Sequence, residues 1–298
     1  MDELRAALTG VVAITVTPFD DSGAFDQDGY AAGVARLVDG GIGVVTPNGN
    51  TGEFYALRPA ESDRALAVTL DVVGDRAVVL AGVGHDAATA ADMAKAAARA
   101  GARAVMVHQP VHPYQSVPGW VDYHRTVADA APDVGVVCYV RHPVVTPAAL
   151  AALADACPNV LGVKYALPDV FALATAVAEL GDRLTFSCGL AEGWAPFFWL
   201  AGARGFTSGL ATVAPALSLE LLACLRAGDT EGAMRVWRLV RPLEDLRARH
   251  GAEHNVSVVK EALAQLGVCG AAVRPPISGL GPADRAEVTR ILRSWALL

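Results

Sequence analysis

The chain has 298 residues, 53% hydrophobic and 18% charged, with a formal net charge of −7. That is enough apolar side chain for a large core, and the negative balance leaves no basic face for nucleic acid. No apolar run approaches the ~20 residues a membrane-spanning helix needs, and Met1-Asp2-Glu3-Leu4-Arg5 has no signal-type apolar core behind it. These features point away from membranes and towards the cytoplasm. Five cysteines, Cys138, Cys157, Cys188, Cys224 and Cys269, are odd in number and form no CxxC. That pattern suits reduced thiols better than a disulfide framework or a zinc site.

In chain order, short runs rich in β-branched residues predict strands near Val11–Val16, Gly43–Thr46, Ala77–Ala81, Ala104–His108, Gly135–Tyr139, Leu161–Lys164, Leu184–Ser187 and Gly205–Ser208. Alanine-rich helical stretches lie between them, among them Asp26–Gly40, Pro59–Val73, Ala87–Ala100, Thr146–Ala156, Asp169–Leu180 and Ala191–Ala201. Prolines at Pro59 and Pro147 mark helix starts, and glycines at Gly40, Gly101 and Gly202 mark helix stops. Strands that are nearly continuous apolar runs belong to a parallel sheet buried on both faces. Eight such units in about 225 residues suit a (β/α)₈ TIM barrel. Periodicity alone also allows an open doubly wound sheet, but no glycine-rich fingerprint follows the first strand. Beyond Gly228 the strand runs stop, and Asp229–Arg249, Val256–Leu266 and Pro282–Trp295 have helical patterns. The expected organisation is therefore a barrel over 1–228 and a C-terminal helical domain over 229–298.

Of 24 basic side chains only Lys95, Lys164 and Lys260 are lysine. Lys164 closes the apolar run Val160-Leu161-Gly162-Val163-Lys164. It is either a lysine reaching from a strand end to water, or a buried amine able to lose its proton and attack a carbonyl, which arginine cannot do. Lys95 falls on an alanine-rich helix as a surface charge, and Lys260 beside Glu261 has a structural or interfacial place. In a barrel, the C-terminal ends of the strands carry the chemistry. There Tyr139 would neighbour Lys164, as a proton relay or as a phenol anchored to backbone. After strand 2, Asn48-Gly49-Asn50-Thr51-Gly52-Glu53 is either a plain glycine turn or a nest of amides for a carboxylate, with Thr51 adding a hydroxyl and Glu53 organising the loop. His108 and His112 are four apart, but Pro110 and Pro113 rule out a regular helix that would align them on a metal.

These pieces together resemble the dihydrodipicolinate synthase / N-acetylneuraminate lyase family. The matching residues are Thr15-Val16-Thr17-Pro18-Phe19, Asn50-Thr51-Gly52-Glu53, Tyr139, Gly162-Val163-Lys164, Gly189, Val259-Lys260-Glu261-Ala262-Leu263 and Arg274-Pro275-Pro276. The resemblance implies a class I aldolase-like lyase in which Lys164 forms an imine with pyruvate or another 2-keto acid. Tyr139 would relay protons, and Asn50, Thr51 and Gly52 would hold the carboxylate. Substrate would also meet Gly189 and Thr207. No metal or organic cofactor is called for, because the iminium is the electron sink. The resemblance also implies a homo-oligomer, tetramer or dimer.

The departures shift the expected substrate. Asn50 stands where the synthases carry a threonine. His112 stands at the tyrosine that a neighbouring subunit lends to the relay. Val144 replaces the arginine five residues after the strand-5 tyrosine, and Arg141 lies only two after it. Gly52-Glu53-Phe54-Tyr55-Ala56-Leu57 looks more like the sugar-acid dehydratases of the family, which act on keto-deoxy acids such as 5-dehydro-4-deoxyglucarate, and Arg141 would then contact a distal carboxylate or hydroxyl. Two alternatives stay open: a 4-hydroxy-tetrahydrodipicolinate synthase joining pyruvate to aspartate semialdehyde, and a non-catalytic barrel that binds keto acids.

Overall fold

A computed structural model describes residues 1–20 and 22–298. Eight parallel strands close on one another in chain order, with β8 hydrogen-bonded back to β1. They are β1 (Val11–Ile14), β2 (Val44–Thr46), β3 (Val78–Val83), β4 (Ala104–Val107), β5 (Gly135–Val140), β6 (Val160–Tyr165), β7 (Thr185–Cys188) and β8 (Gly205–Ser208). The helices are α1 (Asp2–Ala7), α2 (Gln27–Asp39), α3 (Pro59–Val73), α4 (Ala87–Ala100), α5 (Val117–Ala130), α6 (Pro147–Ala156), α7 (Val170–Leu180), α8 (Ala191–Leu200), α9 (Pro215–Ala227), α10 (Thr230–Ala252), α11 (Ser257–Gln265) and α12 (Pro282–Ser294). The fold is a TIM barrel followed by C-terminal helices. Strand ends differ from the sequence expectation by one or two residues. Regular helix in α10 gives way at Arg249, His250 and Gly251, whose backbone angles are not helical.

Alternation along the strands, broken in β6 near Leu161 where the β5–β6 register shifts, divides the apolar residues into two cores. One set, including Ala13, Val45, Val105, Cys138 and Val163, packs outward against the helices. The other, including Val12, Ile14, Leu80, Met106, Val137 and Leu161, fills the lumen. Each such side chain contributes about 1.5–3 kcal/mol when fully buried. Leu4 and Leu8, one helical turn apart on and just after α1, join the lumen cluster. They pack beside Gly135 and Gly162 at the starts of β5 and β6 and so close that end. Neither α1, α5 nor α9 was singled out by the sequence pattern. Several helices are fixed by side-chain caps: Asp26, Asp86, Ser116, Thr146, Asp169 and Asp229 each accept from an amide of the first turn. Among the described residues no helix is long and apolar enough to cross a membrane.

Candidate active site

The lumen alternation that fills the closed end with Val and Leu puts Tyr139 and Lys164 on the same face at the other end. The two are direct partners in the β5–β6 ladder. Lys164 is 4% exposed, and its Nζ sits 4.0 Å from the centroid of the Tyr139 ring. Among the described residues no carboxylate pairs with it. Burial, and then the positive charges of Arg141 and Arg247, pull its pKa from 10.5 down to about 7. An amine at that value is divided between its charged and nucleophilic forms at neutral pH. Burial pushes the Tyr139 hydroxyl the other way, so it stays protonated and able to donate.

The loop after β2 opens with a 3₁₀ turn, Asn50–Gly52. The left-handed residues here are Asn48 and Glu53, with φ of 59° and 58°, and neither glycine has a positive φ. Gly52 is required for space instead, since a Cβ there would lie 2.9 Å from the Thr15 carbonyl. The tight turn expected of the two glycines is therefore made without a left-handed glycine. The strain at Glu53, of order 1–3 kcal/mol, is held by two partners: its carboxylate accepts from Lys260 Nζ and, at 2.9 Å, from the Arg274 amide. Thr17 Oγ1 donates to the Gly52 carbonyl at 2.8 Å, and Asn50 Nδ2 reaches the Tyr139 hydroxyl at 3.4 Å. The first amides of the turn, at Asn50 and Thr51, have no partner within it and remain free to donate.

A cavity of about 730 Å³ opens above these groups. It gathers Lys164, Tyr139, Asn50, Thr51, Arg141, Gly189 and Thr207. Thr207 Oγ1 donates to the Cys188 carbonyl at 3.3 Å, and Gly189 is so close to Ala166 and the Tyr165 carbonyl that no side chain fits. Two expected site residues lie outside. Gly52 is covered by the Thr15 backbone. His112 is exposed on the loop after β4, where its Nδ1 meets the backbone of Tyr114, so this chain does not bring it to its own Lys164. His108 is a lumen residue stacked 4.2 Å from the Phe54 ring, held by the Asn48 carbonyl at 2.8 Å and kept neutral by burial, its pKa pushed down to about 3.

The sequence reading missed the far wall, which comes from α10 and the segment after it. Trp237, Arg241, Glu244, Arg247 and Asn255 line it. Glu244 and Arg247 have side chains 11% and 5% exposed and pair at 2.7 Å. A signal existed: Val236, Val240, Leu243 and Arg247 share the buried face of α10, so an arginine occupies a core position of an amphipathic helix.

The dihydrodipicolinate synthetase family model matches residues 7–295. The chain is 32% identical over 292 residues, 97% of this chain and 95% of the relative, to a probable 5-dehydro-4-deoxyglucarate dehydratase of Methylobacterium radiotolerans. It is 31% identical over 290 residues, 96% of this chain and 93% of the relative, to one of Saccharopolyspora erythraea. Crystal structures of dihydrodipicolinate synthase from Oceanobacillus iheyensis and Bacillus clausii superpose with TM-scores of 0.95 and 0.94 at 38% and 40% identity, each over 98% or more of both chains. The chain belongs to the dihydrodipicolinate synthetase family.

Proposed function

We propose that the protein is a Schiff-base-forming lyase that dehydrates a hydroxylated 2-keto acid, with a keto-deoxy sugar diacid of the 5-dehydro-4-deoxyglucarate type as its substrate. One observation carries the reading: a buried lysine without a carboxylate partner among the described residues, its pKa near 7, standing over a tyrosine at the base of a polar cavity. Neutral Lys164 attacks the ketone, forming an N–C bond. Loss of water from the carbinolamine gives an iminium, which acidifies the neighbouring C–H. Losing that proton gives an enamine. The enamine expels the hydroxyl one carbon further on, which leaves as water after taking a proton. Hydrolysis then frees the amine. Tyr139 moves protons at the carbinolamine, while the Asn50 and Thr51 amides and the Thr51 hydroxyl hold the carboxylate next to the ketone. Arg141, exposed and unpaired with any carboxylate among the described residues, meets the distal carboxylate. The names of the curated relatives support dehydration.

Borohydride added with pyruvate or the keto-deoxy acid is expected to leave a reduced adduct on the Lys164 peptide, read by mass spectrometry. An unmodified Lys164, under conditions that trap a known family member, would remove the mechanism. A second reading, condensation of pyruvate with aspartate semialdehyde, has the names of the two superposed synthases behind it. Against it, the partly buried Val144 stands at the arginine position. A coupled assay with that aldehyde is expected to show no turnover.

We place the protein in the cytoplasm as a homo-oligomer. Its five cysteines are all free, and exposed Val111 and Tyr114 after β4, with Phe171 on α7 and Leu200 on α8, provide apolar surface for a second copy.

A further inference from the structure

We infer that Glu244 and Arg247 of α10 form a subsite for the hydroxyl groups in the middle of the substrate chain, and so set how strongly the enzyme prefers a hydroxylated keto acid over pyruvate. The inference rests on the Schiff-base reading and adds the element that selects the substrate.

Withdrawing two charges from water is costly, and a protein that buries such a pair usually saturates its hydrogen bonds. This pair is not saturated. Arg247 has five N–H donors. Its Nη1 donates to Glu244 Oε1 at 2.7 Å, Nε to the Asn255 carbonyl at 3.1 Å and Nη2 to Asn255 Oδ1 at 3.1 Å. Two N–H groups remain. Among the described residues nothing donates to the second carboxylate oxygen of Glu244. Spare donors and a spare acceptor side by side on a cavity wall match a hydroxyl, which donates once and accepts twice.

The placement fits as well. A Cβ built on Gly209, just past β8, would lie 2.8 Å from Arg247 Nη2 and 3.1 Å from Thr51 Cγ2. The guanidinium therefore reaches across the cavity to the loop that holds the keto acid. Its charge is also felt at Lys164. A chain fixed at one end on Asn50 and Thr51, and drawn at the other towards Arg141, passes this wall in between. Pyruvate, with only a methyl group beyond its ketone, offers nothing for the pair to bind.

Arg247 also joins α10 to the Asn255 segment across the non-helical residues 249–251, so a purely structural role is the competing account. The two accounts differ in what they do to selectivity. The test measures kcat/KM for a hydroxylated keto-deoxy diacid and, on the same samples, the rate of pyruvate C3–H exchange in D₂O. It uses Glu244→Gln, which keeps the contact to Arg247, and the double variant Glu244→Met/Arg247→Leu, which leaves neither charge unpaired. The ratio of the two rates is expected to fall at least about tenfold in both variants, through KM more than kcat. An equal loss for both substrates would mean a structural role and overturn the subsite, as would a ratio unchanged in both variants. Wild-type protein that exchanges and traps pyruvate but shows no preference for the diacid also overturns it, leaving the Schiff-base reading standing. Failure of the wild type to trap either acid removes that reading instead, and the subsite with it.

Discussion

Two lysines are buried in this barrel, and they differ in the company they keep. Lys260, wholly buried on α11, lies against Glu53, donates to the Ala272 carbonyl at 2.7 Å and sits 4.2 Å from the Phe19 ring centroid. Among the described residues Lys164 meets no carboxylate, only the Tyr139 face and two arginines whose charges oppose its own. The same side chain, removed from water in both places, is tied to a carboxylate in one and left in the other with an aromatic face and two like charges, as the proposed nucleophile requires. Burial lowers the pKa of both amines, and at Lys260 the Glu53 carboxylate works against it, whereas at Lys164 two arginines add to it. The two sites also join: Glu53 is the last residue of the loop that begins at Asn50, so the Lys260 tie steadies the backbone from which Lys164 would receive its substrate.

The sharpest way to break this contrast is Lys164→Met. Activity towards any 2-keto acid should fall by at least about 10³-fold. Stability should move the other way, because the two states of Lys164 hold protons differently. Its pKa is about 7 in the folded chain and 10.5 ordinarily. Between those values the unfolded chain binds more protons, so wild-type stability rises with pH across that window. Below pH 7 the full cost of burying the amine applies, on the order of 5 kcal/mol. The methionine variant should therefore resist urea better than wild type at pH 6 and lose that advantage by pH 10. Equal midpoints at pH 6 would mean that Lys164 keeps an ordinary pKa.

Tyr139→Phe leaves the amine in place but removes the hydroxyl proposed as the relay. Imine trapping by borohydride should slow by about 10²–10⁴-fold with little change in stability. At the other lysine the expectation reverses. Lys260→Met strands the Glu53 carboxylate and should cost about 3–5 kcal/mol, read as a lower urea midpoint. Adding Glu53→Leu should recover part of that. The Arg274 amide would still lack its acceptor, a residual cost of about 1–3 kcal/mol. A double variant less stable than the single would argue against an ion pair whose charges must be kept or lost together.

How much of this was legible in the sequence follows from range. The eight strands came from local runs of apolar and β-branched residues, and the placement of Tyr139 beside Lys164 from their standing at the ends of neighbouring strands. Glu53 as the organiser of its loop was legible too, but its partner Lys260 lies 207 residues away, and no local pattern joins them. Arg247 was missed for a related reason. It belongs to a helix outside the strand–helix repeat, and only the direction in which α10 packs turns that face towards the strand ends. His112 matched a family position by spacing alone, and spacing does not show which way an exposed loop points.

The smallest effect tests the environment of Lys164 most directly. After burial, Arg141 is the next largest cause of its lowered pKa. Arg141 is exposed, so its field reaches Lys164 partly through water and is screened by salt. In Arg141→Gln the amine should be easier to protonate. The acid limb of kcat/KM, expected near pH 7 in wild type, should then move to higher pH by about a few tenths of a unit to one unit. Loss of a substrate contact would lower the whole profile without moving this limb, so the limb position separates the two roles of Arg141. Raising the salt concentration should shift the wild-type limb in the same direction and shrink the difference from the variant. A variant limb that stays at the wild-type pH would leave burial as the main cause of the lowered pKa, with Arg247 the only arginine left to contribute.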